Sequence, residues 1–308
     1  MSNTPYDDVF RTMLNDCKRL VIPVINEAFH EHYTGDEEIL FFPNEHYLNQ
    51  QDGREVERIT DTSFVIQGKV TKKYHWECQS TTDSSMLIRI FEYDAQIALD
   101  AGEVKEDVLT VEFPNSAILY LRSNPSTPDY MKIRIKTPGG EVCYNVPTMK
   151  VQKYTIQDIF DKQLLFLIPF YIFTHESHFP EYDKDESKLE TLKEEYEYIK
   201  DRLEQLCNSG VIEEYTKCMI IDMSNKVIEN LTKKYDKVKK GVESVMVGRV
   251  LEYEAKTIYN EGVSQGISQG ISQGKAEMLL DLVRDGMLSI EEAARRLQVS
   301  EEEVEMML

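Results

Sequence analysis

The sequence predicts an α/β domain followed by an all-helical C-terminal region, and three observations carry that reading. Apolar periodicity over residues 1–180 runs helix, strands, helix, strands, the order of an α/β unit. Beyond a polar, acidic stretch at 180–187 the chain turns almost wholly helical, with Leu189, Leu192, Tyr196, Ile199, Leu203 and Leu206 at spacings of three and four. Residues 262–274 then repeat Gly-Val-Ser-Gln, Gly-Ile-Ser-Gln, Gly-Ile-Ser-Gln, Gly before a short tail. Three segments follow: an α/β domain over 1–180, a helical region with a heptad-like seam over 181–261, and a glycine repeat with a small helical tail over 262–308.

Within the first segment, residues 6–30 read as a helix with Val9, Phe10, Met13, Leu14, Val21, Val24, Ile25 and Phe29 on one face and a possible kink at Pro23. Strand character marks 39–42, 59–67 and 74–80, the last two divided by Gly68. A helix follows from Ser84 to Gly102, then strands at 109–113, 117–122, 131–136 and 141–146, then a second apolar helix over 156–173. In the second segment the seam asks for a partner helix. Glycines 262, 266, 270 and 274 form a stripe if that stretch is helical, and a linker is the alternative. Ser289 with Glu292, and Ser300 with Glu303, have capping-box spacing and predict two short helices in the tail. The second of these opens on Glu301, Glu302 and Glu303, which repel phosphate, so the tail reads as a protein contact rather than a DNA reader. The helical regions together predict a homo-oligomer.

A chain of 308 residues, 41% hydrophobic and with 17 tyrosines, has the apolar and aromatic content to fold. No apolar run reaches the ~18 residues of a membrane span, and the N-terminus has neither a basic region nor an apolar one, so a cytoplasmic protein without membrane contact is expected. Five widely spaced cysteines without a Cys-x-x-Cys fit reduced, buried thiols rather than disulfides or zinc. The net charge of −20 is shared by both halves and weighs against nonspecific polyanion binding, although an acidic site loaded with a divalent metal still offers positive charge to phosphate. The pairs His30 with His32 and His175 with His178 lack flanking zinc ligands. No glycine-rich phosphate loop and no Gly-x-Ser-x-Gly is present.

The residues that carry chemistry lie on the strands around Gly68. A reversal centred near residues 69–70 sets Asp61 opposite Glu77 to Gln79, with all three side chains on one face, while Phe64, Ile66, Trp76 and Cys78 collect on the other. Two carboxylates and an amide oxygen suit Mg²⁺, and the backbone carbonyl of Cys78 could be a further ligand. An ordinary hairpin with a solvated polar face is the alternative reading of the same residues.

The segments Arg58-Ile59-Thr60-Asp61 and His75-Trp76-Glu77-Cys78-Gln79 resemble the PD-(D/E)XK nuclease superfamily, in particular its transposase-like, recombination-promoting branch, which uses Glu-x-Gln in place of Glu-x-Lys. Asp7-Asp8-Val9-Phe10-Arg11 resembles that branch's opening helix. Arg89-Ile90-Phe91-Glu92-Tyr93 resembles its Arg-x-x-x-Tyr helix, and the glycine repeat before a helical tail is similar to its C-terminus. Thr60 stands where the proline of the family's name would be.

The resemblance implies a restriction-endonuclease-like core of helix, mixed central sheet and helix, cleaving DNA with Mg²⁺ or Mn²⁺. It makes Asp61, Glu77 and the Cys78 carbonyl the metal ligands. Gln79 takes the place of the catalytic lysine, and Asp7, Arg58, Arg89 and Tyr93 are auxiliary. Two rivals stay open: a nuclease-derived fold without activity that binds DNA or scaffolds a mobile-element or defence system, and a helical assembly protein in which residues 188–274 carry the function, so that a chain ended near residue 180 would be a stable monomer without it.

Overall fold

The computed structural model describes residues 5–41, 45–49, 55–59, 63–81 and 85–246, and beyond these only Leu280, Val283, Ser289, Ile290 and Val304. The chain divides into two compact units, 1–248 and 249–308. The glycine repeat and both tail capping boxes fall almost wholly outside the described residues; of them only Ser289 is described, and it precedes a helical Ile290.

The first unit is α/β, with a mixed six-stranded sheet and helices. The helix expected over 6–30 is two, α1 (Pro5–Asp16) and α2 (Val21–Phe29), joined by a 3-10 turn at Lys18–Leu20. The break falls at Cys17 and not at Pro23, because Pro23 sits in the first turn of α2, where no N–H is needed for the helix ladder. Strand β1 (Glu38–Phe41) follows. Of the strand expected over 59–67, Ile59 ends β3 (Glu55–Ile59), which pairs with β2 (Glu45–Asn49) in a separate ribbon, and β4 (Ser63–Gln67) joins the main sheet; residues 60–62 lie outside the described residues.

Strand β5 (Thr71–Gln79) turns back on β4 through Gly68, and the crossover α3 (Met86–Asp100) leads by a hairpin of β6 (Glu103–Lys105) and β7 (Val108–Thr110) to β8 (Asn115–Tyr120). Strands β9 (Tyr130–Thr137) and β10 (Gly140–Lys150) complete the sheet in the order β1-β4-β5-β8-β10-β9. Strands β5, β8 and β10 run parallel, and the outer pairings are antiparallel. Strand β10 changes partner along its length. It pairs with β9 as far as Pro147 and with β8 from Thr148, so the residue that has no N–H to give marks the transfer.

The helix expected over 156–173 is also two pieces. Thr155 and Asp158 form a reciprocal capping box on α4 (Ile156–Asp161), which ends where Gln163 takes φ +57°. Residues 165–174 then form a long 3-10 helix around Pro169 whose side chains from Leu165 to Phe173 are all buried. Proline excludes the α-helical bond to Leu165, and burial on every side fills the tighter coil. Trp76 lies at the centre of this core, edge-on to Phe10 of α1 at 5.0 Å and tilted against Phe166 at 5.0 Å.

After the short α5 (Phe179–Tyr182) come α6 (Glu186–Asn208), α7 (Glu214–Leu231) and α8 (Asp236–Met246). The seam residues Leu189, Leu192, Tyr196, Ile199 and Leu203 are buried within this chain, in one continuous core with Trp76 and Phe166. Helix α7 packs on α1 and on the 3-10 helix, and α8 packs on α6. The boundary expected near residue 180 therefore lies inside the first unit. Among the described residues no helix is long and apolar enough to cross a membrane.

Two outcomes follow. Trp76→Ala removes the ring that joins α1, β5 and the 3-10 helix, and should cost about 3–5 kcal/mol in denaturant unfolding. A chain ended after residue 180 strips α6 to α8 from the shared core and should lose cooperative thermal unfolding, whereas one ended at residue 248 should keep it.

Candidate functional site

Strand β5 presents His75, Glu77 and Gln79 on one face and Tyr74, Trp76 and Cys78 on the other, where the apolar set enters the core. The pairing of β4 with β5 runs from Ser63↔His75 to Gln67↔Thr71, the register expected from a reversal at Gly68. Asp61 lies outside the described residues. Glu77 and Gln79 lie at the carboxyl end of β5, beside Ile118 and Tyr120 of the parallel β8.

A line of hydrogen bonds runs through this face. His75 donates from Nδ1 to Asp94 Oδ1 at 2.7 Å and from Nε2 to Glu77 Oε1 at 3.2 Å. Ser116 Oγ donates to Asp94 Oδ1 at 2.6 Å, and Tyr144 OH donates to Asp94 Oδ2 at 3.3 Å. The Gln79 amide donates from Nε2 to Glu77 Oε2 at 3.4 Å, and its Oε1 accepts from Arg89 at 3.0 Å. Tyr93 stands edge-on to the His75 ring at 5.8 Å.

Electrostatics follows from this arrangement. His75, Glu77 and Asp94 are all at most 1% exposed. Burial pulls the imidazole toward its neutral form, but the bonds to Asp94 and Glu77 outweigh it and raise His75 to about 9. A ring with an acceptor-only carboxylate on each nitrogen has to donate from both, which is the imidazolium form. Burial, and then the Asp94 charge, push the Tyr144 phenol far up, so it stays a donor. Burial also drives Cys78 well above a normal thiol, helped by the charges of Asp7 and Glu77.

Asp7 of α1 thus acts on Cys78 through its charge. Arg89 reaches Gln79, and Tyr93 braces His75. Arg58 lies on β3 opposite His46, in the separate ribbon. Because the carbonyl of Gln79 accepts from Leu121 N–H beyond β8, strand alternation turns the Cys78 carbonyl the other way, toward β4. Of the five cysteines, none of them in a disulfide, only Cys17 and Cys78 are buried; Cys143 is exposed, and Cys207 and Cys218 are partly so.

Sequence reasoning missed His75, Asp94, Ser116 and Tyr144. His75 has the parity of Glu77 and Gln79, and Asp94 is a carboxylate on the apolar stripe of α3 between Ile90 and Ile97. Either was a usable signal, since a charge on a core face needs a partner. Among the described residues no three His, Cys, Asp or Glu side chains form a group able to hold a metal ion. Comparison of the chain with protein-family models, with curated proteins and with solved structures found no match in any of the three.

Asp94→Ala leaves a buried imidazolium with one carboxylate and strands two hydroxyl donors. It should destabilise the protein by about 3–5 kcal/mol in denaturant titration, with Asp94→Asn costing less. The raised value of His75 also sets a pH window. Its contribution is complete below the ordinary value of 6.5 and is lost as pH rises through about 9. The denaturation midpoint should fall across that interval, and His75→Gln should flatten that part of the profile.

Proposed function

We propose that this protein is a Mg²⁺-dependent endonuclease that hydrolyses phosphodiester bonds in DNA, on a restriction-endonuclease-like core, with Asp61, Glu77 and Gln79 at its centre. The observation that carries the reading is the pairing of Glu77 with Gln79 at the carboxyl end of β5, backed by His75 and flanked by Arg89. Carboxyl ends of parallel strands are where open α/β sheets bind ligands. The opening helix, the Glu-x-Gln strand and the Arg-x-x-x-Tyr helix come in the order that the resemblance requires, with Arg89 bonded to Gln79 and Tyr93 against His75 of the same strand face.

The donors fit a hard cation. Glu77 supplies a carboxylate and Cys78 a carbonyl directed toward the β4 side, and oxygen donors of this type are what Mg²⁺ takes. Asp61, outside the described residues, is the third ligand in this reading. When bound, the ion supplies activation of a water and neutralisation of charge on the phosphodiester. His75 fixes the rotamer of Glu77 through Oε1, so that the carboxylate is held before substrate arrives. Gln79 orients water or phosphate with its amide, and Arg89, tied to Gln79 Oε1, brings to phosphate the positive charge that a glutamine lacks.

A second reading has one observation in its favour: both oxygens of Glu77 already accept bonds from His75 and Gln79. On that reading the fold binds DNA or scaffolds an assembly without cutting. Cleavage of supercoiled plasmid with Mg²⁺, Mn²⁺ or EDTA separates the two. Wild type should nick or linearise plasmid with either metal and not with EDTA, and Asp61→Ala and Glu77→Ala should each abolish cutting. Equal cutting by both variants sinks the endonuclease reading; metal binding by calorimetry without any cutting favours the second.

A further inference from the structure

Helix α3 is apolar on two faces. Met86, Ile90, Tyr93 and Ile97 are buried against the sheet, while Ile88, Phe91 and Leu99, at spacings that align them along the back, are exposed. Ile88 is 63% and Leu99 54% exposed. Glu92 shares this back face, so the exposed apolar residues flank one carboxylate.

The stripe continues into the β6–β7 hairpin. Gly102 follows α3 so closely against the Leu109 and Val111 side chains that a Cβ there would touch both, at 3.4 and 3.3 Å. Val104 pairs with Leu109 across the hairpin and is 70% exposed. Among the described residues β6 and β7 pair only with each other, so each keeps a free edge. A lone two-stranded ribbon is marginal in water, and a free edge is a template for another strand.

We propose that the back of α3 and the β6–β7 hairpin form the surface on which two copies of this chain associate about a two-fold axis, with their β6 strands antiparallel and centred on Val104. Area supports it. Ile88, Phe91, Leu99, Val104, Val108, Leu109 and Val111 are all exposed and together present on the order of 600 Å², at the upper end of what a monomer shows and most of the ~800 Å² per partner of a stable interface. Charge supports it as well. Pairing centred on Val104 sets Glu103 of each copy opposite Lys105 of the partner subunit, giving two complementary cross-strand pairs where one chain alone has a single exposed contact of 2.9 Å. A two-fold interface needs nothing that this chain does not already carry. The sheet side of the same helix holds Arg89 and Asp94, so association would also hold in place the helix that tethers Gln79 and His75.

The test is sedimentation of the full chain over a wide range of concentration. The mass of the assembly should halve in Leu99→Glu and in Val104→Glu, with circular dichroism unchanged because both positions are exposed. In a chain with Cys143, Cys207 and Cys218 replaced by Ser, Val104→Cys should form a disulfide-linked dimer on mild oxidation, since directly opposed residues have Cβ atoms about 4.5–5.5 Å apart. Val142→Cys, exposed on β10, should not. A wild type that is monomeric throughout, or an assembly whose mass neither charged variant changes, overturns the proposal. Halved mass without the Val104 cross-link overturns the strand register.

Discussion

Four elements of this fold meet at the buried His75–Asp94 pair. His75 comes from β5, Asp94 from the crossover helix, and Ser116 from β8, while Tyr144 closes the set from β10. Neither carboxylate could be buried alone, because an ionised group without a partner costs several kcal/mol in an apolar interior. The imidazolium answers both carboxylates at once, and the helix therefore docks on the sheet in one position. Register between β5 and β8, the azimuth of α3 and the direction of the Glu77 side chain are all consequences of that one ring. Gln79 and Arg89 extend the same order outward to where the face meets solvent.

Much of the sheet was legible from the chain. Parity alone put Phe64, Ile66, Trp76 and Cys78 in the core and their neighbours on the opposite face, and Gly68 marked the reversal that sets the register. The α/β class followed from the order of periodic segments, and the mixed sheet was what the resemblance implied. Two breaks were not legible. Cys17 and Gln163 interrupt apolar stripes without glycine or proline, so periodicity carried the helices across them. The heptad-like spacing of α6 was correctly read as helical, but spacing does not say whether the partner lies in the same chain, and here it does.

The candidate site was legible as a position and not as a network. Glu77, Gln79 and Arg89 were singled out and are joined by hydrogen bonds, and Tyr93 stands against His75 of the same strand face. The histidine that organises them went unread because it was weighed as a motif neighbour rather than as the third residue on one strand face. Asp94 went unread because a helix stripe was read for its apolar members only.

The parallel pairing of β5 with β8 carries a consequence for how the molecule is made. The β4–β5 reversal closes over a few residues, but Tyr74 meets Asn115 only after the whole of α3 and the β6–β7 hairpin have been synthesised and packed. Closing so long a loop costs chain entropy before any contact returns it, and non-local parallel pairing is intrinsically slow. Until it closes, Glu77 has its hairpin but not the supporting groups from α3 and β8. A nascent chain therefore carries Glu77 on its strand without the groups that order it, and the candidate site cannot form before β8 is in place.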